Sequence, residues 1–222
     1  MKVNRVFDVV CLMVVLAGLA LAAVMYPRLP DPMPSHWNAA GDINGWMPRF
    51  WGVMIFPIVM AAIWLMFLVL PRISPRGFEM DPFVRAWGYL RVAFLAFMLY
   101  IEVIVFRAAQ NQGKMEQGGL FVAVGVLFVL MGNFLGKVTR NFFVGIRTPW
   151  TLANEEVWLR THRLGGKCFV AAGFVVVAIS LLGLGPWAMM AVILAAALVP
   201  VVYSYVIYRK LEGPAAAARP AS

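Results

Sequence analysis

Six long apolar runs constrain this chain more than any other feature. A spanning helix needs about 20 mostly apolar residues, because the hydrocarbon core is about 30 Å thick and an α-helix rises about 1.5 Å per residue. Runs at 6–26, 50–70, 84–106, 120–135, 168–184 and 187–208 meet or approach that length. In hydrocarbon each backbone N–H and C=O must be paired, which such a run does by becoming a helix. The sequence therefore predicts an all-α fold: a polytopic membrane protein with a six-helix transmembrane bundle. The third run carries Arg85, Arg91 and Glu102, and the fourth is short. Pro57 and Pro200 predict kinks in the second and sixth. Lys2 and Arg5 precede the first run, and no small-residue cleavage site with a soluble domain follows it. It is read as a retained helix, not a removed signal peptide.

Composition excludes the common alternatives. Apolar residues make up 63% of the chain and charged residues 13%. A soluble enzyme cannot hide that much apolar surface, and a disordered chain would be far more polar. The net charge of +9 would suit nucleic acid, but its placement points elsewhere. With the N-terminus inside, fourteen of the 19 Lys and Arg fall in inner segments. Only Arg28, Arg49, Arg107 and Lys114 fall outside, leaving Arg91 at membrane depth. This is the positive-inside bias, so both termini are placed in the cytoplasm and no direct nucleic-acid contact is expected. Cys11 and Cys168 show neither zinc spacing nor a disulfide framework and read as small buried hydrophobes. Residues 1–212 read as one transmembrane domain. The Ala- and Pro-rich tail 213–222 reads as disordered.

Two loops are too patterned to be connectors. The outer loop, 27–49, has prolines at 27, 30, 32 and 34, which predict an extended course. Residues 38–45 read as turns, and Trp37 and Trp46 suit the membrane interface. The inner loop, 137–167, predicts an interfacial helix over 149–164. Thr148 is placed at its N-cap, Pro149 at N1, Glu155 and Glu156 in its first half, and Arg160 and Arg163 near its end. Gly165-Gly166 is read as its stop. Trp150, Val157 and Leu164 make an apolar stripe that would lie on the membrane.

The two histidines sit one in each loop. His36 has Asp31, Asn38 and Asp42 nearby, and His162 shares a helix face with Glu155. A zinc or general-base site is conceivable, but no HExxH occurs and no third ligand has a characteristic spacing. In the predicted topology the histidines face opposite compartments. The structural alternative is that His36 orders the proline-rich loop and His162 stacks or caps at the interfacial helix. Arg147, with Asn141 and Asn154, makes a polar knot suited either to a phosphate or carboxylate or to holding the loop. Arg91 and Glu102 are costly at membrane depth and are expected to snorkel inward and outward respectively.

Both loops carry a resemblance. The stretch 29–41, LPDPMPSHWNAAG, running on to Gly45-Trp46, resembles an outer-loop motif of a bacterial membrane family of unknown biochemical role. The stretch 141–166, NFFVGIRTPWTLANEEVWLRTHRLGG, resembles the signature of SdpI-type immunity proteins. The motifs occur in this order in that family, with about six spans around them. The resemblance implies a bacterial cytoplasmic membrane protein that protects against or senses a secreted toxic peptide outside. It also implies that the protein holds a transcriptional repressor inside. It assigns ligand- or partner-binding roles to His36, Trp37, Asn38 and Gly41 outside. Inside, it assigns them to Asn141, Arg147, Thr148, Trp150, Asn154, Glu155, Trp158 and His162, with Gly145, Pro149, Thr161 and Gly166 in the same motif. No catalytic residue and no cofactor are implied.

Three functions stay open on the sequence. The first is a non-enzymatic immunity or signalling protein. The second is a metal-dependent or intramembrane hydrolase of peptide or lipid, using His36 with Asp42, or His162 with Glu155. The third is a small transporter or lipid-binding protein built around Arg91, Glu102 and Arg147.

Overall fold

The computed structural model describes residues 5–78, 80–111, 115 and 117–212. The tail read as disordered lies outside them. Helix α1 (Arg5–Met25) ends in a 3-10 turn and leads into a two-stranded antiparallel hairpin, β1 (Met33–Trp37) and β2 (Ile43–Met47). Then come α2 (Arg49–Val69), α3 (Val84–Gln110), α4 (Gln117–Leu135), the short α5 (Pro149–Ala153), α6 (Glu155–Leu181) and α7 (Pro186–Glu212). Among the described residues six helices, all but α5, are long and apolar enough to cross a membrane. Large apolar side chains such as Leu16, Ile55, Val126, Phe174 and Val202 point outward, as lipid contact requires. The protein is a multi-pass membrane protein with an all-α six-helix bundle. Helices α2 and α7 continue through Pro57 and Pro200.

The bundle has two parts. Helices α1, α2 and α3 pack together, as do α4, α6 and α7, and α3 joins α4. A glycine seam brings α4 and α6 into backbone contact. A Cβ at Gly132 would lie 2.7 Å from the Gly166 carbonyl oxygen, and one at Gly173 would lie 2.5 Å from that of Gly125. The glycines repeat at seven-residue spacing on each helix, so they stay on one face.

That seam corrects the reading of the inner loop. No interfacial helix covers 149–164. Helix α5 stops at Ala153, Asn154 is extended (φ −132, ψ 125), and α6 starts at Glu155. Asn154 caps α6 by accepting from the Val157 N–H at 3.1 Å. Gly165-Gly166 does not stop the helix, because both glycines are buried contact points. Packing repays their poor helix propensity. The motif helix is thus the first part of a spanning helix, and Val157 and Trp158 are buried.

The charged residues at depth also differ from expectation. Arg91 does not snorkel: it is 5% exposed and its Nη1 donates to Asp8 on α1 at 2.8 Å. Glu102 does not reach an interface. It is fully buried among α1, α2 and α3, beside Met60, and a Cβ at Gly18 would meet its Oε2 at 2.8 Å. Neither carboxyl oxygen has a hydrogen-bond partner among the described residues.

Candidate functional site

The two motif loops lie at opposite ends of the bundle. The hairpin links α1 to α2 and touches the α3–α4 connection. The inner motif links α4 to α6 and packs on the α2–α3 connection through Met80, Phe83, Val138 and Trp158. The two histidines are therefore on opposite sides.

At the hairpin end, Pro32 follows a cis peptide and β1 drives Met33 into the bundle. Met33 is fully buried with Leu29, Val53 and Phe106, and its Sδ fills the place a Cβ on Gly52 would take. Asn38 builds the hairpin tip: its Oδ1 accepts from the N–H groups of Ala40 and Asp42, each at 2.9 Å. Gly41 closes the tip at φ +83, a conformation that suits glycine. Its carbonyl accepts from the Met115 N–H at 3.0 Å, and Gln117 Nε2 donates to the Ala39 carbonyl at 2.9 Å. His36 is exposed, with its Nδ1 against Asn44 Oδ1. Trp37 is half-buried, and Trp46 is exposed, as are Phe50 and Trp51 at the start of α2. The expected extended course is found only in part: Pro27 lies in a 3-10 turn and the strand begins at Met33, taking in Pro34, while the expected turns are the tip and the start of the second strand.

At the other end, the loop folds around its own motif. Asn141 is fully buried. Its amide donates to the carbonyls of Thr139 and Val144 and accepts from the N–H groups of Phe143 and Val144. All four of its hydrogen-bonding positions are filled. His162, 1% exposed, stacks on Trp158 with ring centroids 3.9 Å apart. Its Nδ1 faces the Trp158 carbonyl at 2.8 Å, and its Nε2 faces the Ile146 N–H at 2.9 Å. A carbonyl only accepts and an amide N–H only donates, so the imidazole is neutral with its proton on Nδ1. Gly145, at φ +117, makes this approach possible, since a Cβ there would lie 2.3 Å from His162 Nε2. Trp158 Nε1 donates to the Val138 carbonyl at 2.8 Å.

The rest of the motif ties this knot to α7. Thr148 caps α5 in a reciprocal box with Thr151, and its hydroxyl lies 3.1 Å from that of Ser204. Trp150 packs on Tyr205, and Asn154 donates to Glu212. Arg147 is exposed and donates to the Phe142 carbonyl at 2.6 Å. Glu155 is exposed while His162 is buried, so the Glu155–His162 pair that the hydrolase alternative needs does not form. Thr161 is buried, with its hydroxyl unpartnered among the described residues. Gln117, Ser204 and Glu212 are the partners that sequence reasoning missed. Each lies more than fifty residues from the motif residue it holds, and no local pattern marks it.

A zinc site finds no support in this donor set. Both ring nitrogens of His162 are engaged, and among the described residues no three His, Cys, Asp or Glu side chains converge.

Residues 137–204 match the model of the SdpI/YfhL protein family, and residues 13–61 match that of a domain of unknown function, DUF1648. The chain is 24% identical to the immunity protein SdpI of Bacillus subtilis (strain 168) over 209 residues, which is 93% of this chain and 98% of that protein. This membrane protein is related to the SdpI-family immunity proteins. No solved structure matches the chain. The first family match contains the whole buried knot together with Ser204, and the second contains the whole hairpin.

Proposed function

We propose that the protein is an integral membrane immunity and signalling protein that recognises a secreted toxic peptide at its hairpin. The observation that carries this reading is the contrast between the two ends. In the inner motif Asn141, Thr148, Thr151, Trp158 and His162 are hydrogen-bonded within the protein, and the His162 imidazole keeps no free nitrogen to act as a base. That speaks against the hydrolase reading with His162 and Glu155. The hairpin end instead presents exposed aromatics, Trp46 on β2 and Phe50 and Trp51 at the start of α2, all more than half exposed. Trp46 lies opposite Pro34 in a hairpin whose tip is pinned by Asn38 and Gly41. Rigid exposed aromatics beside a membrane suit an amphipathic peptide, because they offer contact area at low ordering cost. At the other end, exposed Arg147, Glu155 and the Glu156–Arg160 pair (2.6 Å) form the face open to a repressor protein.

Survival of toxin-exposed cells tests this reading. Trp46→Ala and His36→Ala are expected to abolish protection while membrane levels stay unchanged. Full protection by both variants would overturn it.

A further inference from the structure

The cations nearest the α4–α6 seam have no role in either motif end. Lys137, Arg163 and Lys167 line one groove of about 560 Å³ between these helices, with Asn133 beside them and Val170 and Ala171 further along. The groove exists because its floor is glycine: Gly132, Gly136 and Gly166 put no side chain into it. All three cations are exposed. Among the described residues none of them makes an ion pair, and Glu156, the carboxylate two turns before Arg163, is engaged by Arg160. Lys137 sits 5.2 Å from the Phe134 ring.

Depth gives the cluster its meaning. Residues 168–184 carry no charge, so Lys167 marks the level where α6 enters hydrocarbon. Val170 and Ala171 lie one turn deeper, on the wall of the same groove. A single Lys here would serve the C-terminal dipole of α4. Three cations around one groove, Arg163 and Lys167 on α6 and Lys137 just past the end of α4, exceed that need.

We propose that this groove binds the phosphodiester headgroup of an anionic phospholipid, with one acyl chain lying along Val170 and Ala171. The cations neutralise the phosphate and hydrogen-bond its oxygens, and the apolar wall holds the chain. A basic pocket between spanning helices at the headgroup level is an arrangement that binds anionic lipid headgroups. The apolar wall, continuous with the cations and open to hydrocarbon, favours a lipid over a free phosphate ion.

Native mass spectrometry of the full chain tests the proposal. Purified protein is given phosphatidylglycerol or phosphatidylcholine of identical acyl chains. Retained phosphatidylglycerol is expected on the unaltered protein and is expected to fall roughly thirtyfold in R163Q/K167Q, as two lost surface cations imply. R209Q/K210Q, an equal charge loss at the end of α7, is expected to leave retention unchanged. Inorganic phosphate at the same ionic strength as a chloride control is expected not to displace the lipid. Equal loss in both double variants, equal retention of phosphatidylcholine, or displacement by phosphate alone would overturn the proposal. If R163Q/K167Q fails to fold, Lys137→Gln alone carries the test, with a loss of about fivefold.

Discussion

At His162 two hydrogen bonds decide what the side chain can do. With Nδ1 donating to the Trp158 carbonyl and Nε2 accepting from the Ile146 N–H, the imidazole has no lone pair left for a metal or a proton. Its work is to close the 139–146 loop onto α6. His162→Ala removes the acceptor of a buried amide and is expected to lower stability by about 2 kcal/mol. Gly145→Ala, at positive φ and with a Cβ 2.3 Å from Nε2, is expected to cost at least as much. Unfolding in detergent, followed by intrinsic tryptophan fluorescence, measures both. The sequence marked nearly every member of this knot as a motif residue. It did not show what each one does, because the partners are backbone atoms sixteen or twenty residues away. The outcome for His162, stacking instead of ligation, was one of the two readings its spacing allowed. Asn141 fell in the motif assigned to partner binding, and its four hydrogen bonds within residues 139–144 hold that loop together.

The elements were legible where hydropathy alone decides them. All six spans appear, because a long apolar run has one stable form in hydrocarbon, but the fifth, expected at 168–184, begins at Glu155. The failures fall where packing overrules local pattern. Gly165-Gly166 looked like a helix stop, and the seam with α4 turned it into a contact. The proline-rich loop looked merely extended, and pairing with 43–47 made it a strand that plugs the bundle with Met33. The seam supplies its own prediction. Gly132→Leu and Gly166→Leu must push two backbones apart and are expected to destabilise by about 3 kcal/mol or to prevent folding. Gly118→Ala, whose Cβ would meet only Ser180 Oγ at 3.9 Å, is expected to be neutral. Thermal melting of the three purified variants distinguishes these outcomes.

The whole molecule is two helix triplets with a different kind of structure at each end. One end is a hairpin locked to the α3–α4 connection, with aromatics exposed. The other is a buried knot tied to α7 through Thr148 and Asn154. Asp8 and Arg91 neutralise each other within the first triplet, and Glu102 lies deeper in it. The proposed function rests on the relation to the SdpI-family immunity proteins. The proposed division of labour places the hairpin outside, as the positive-inside bias of the loops requires. The most direct test of that claim is photo-crosslinking. A crosslinking amino acid is placed at Trp46 on the hairpin and, as a lipid-facing control, at Phe174, and toxic peptide is added from outside intact cells. A peptide adduct at position 46 and none at 174 is the expected result. Equal adducts at both positions, or none at 46, would contradict the account.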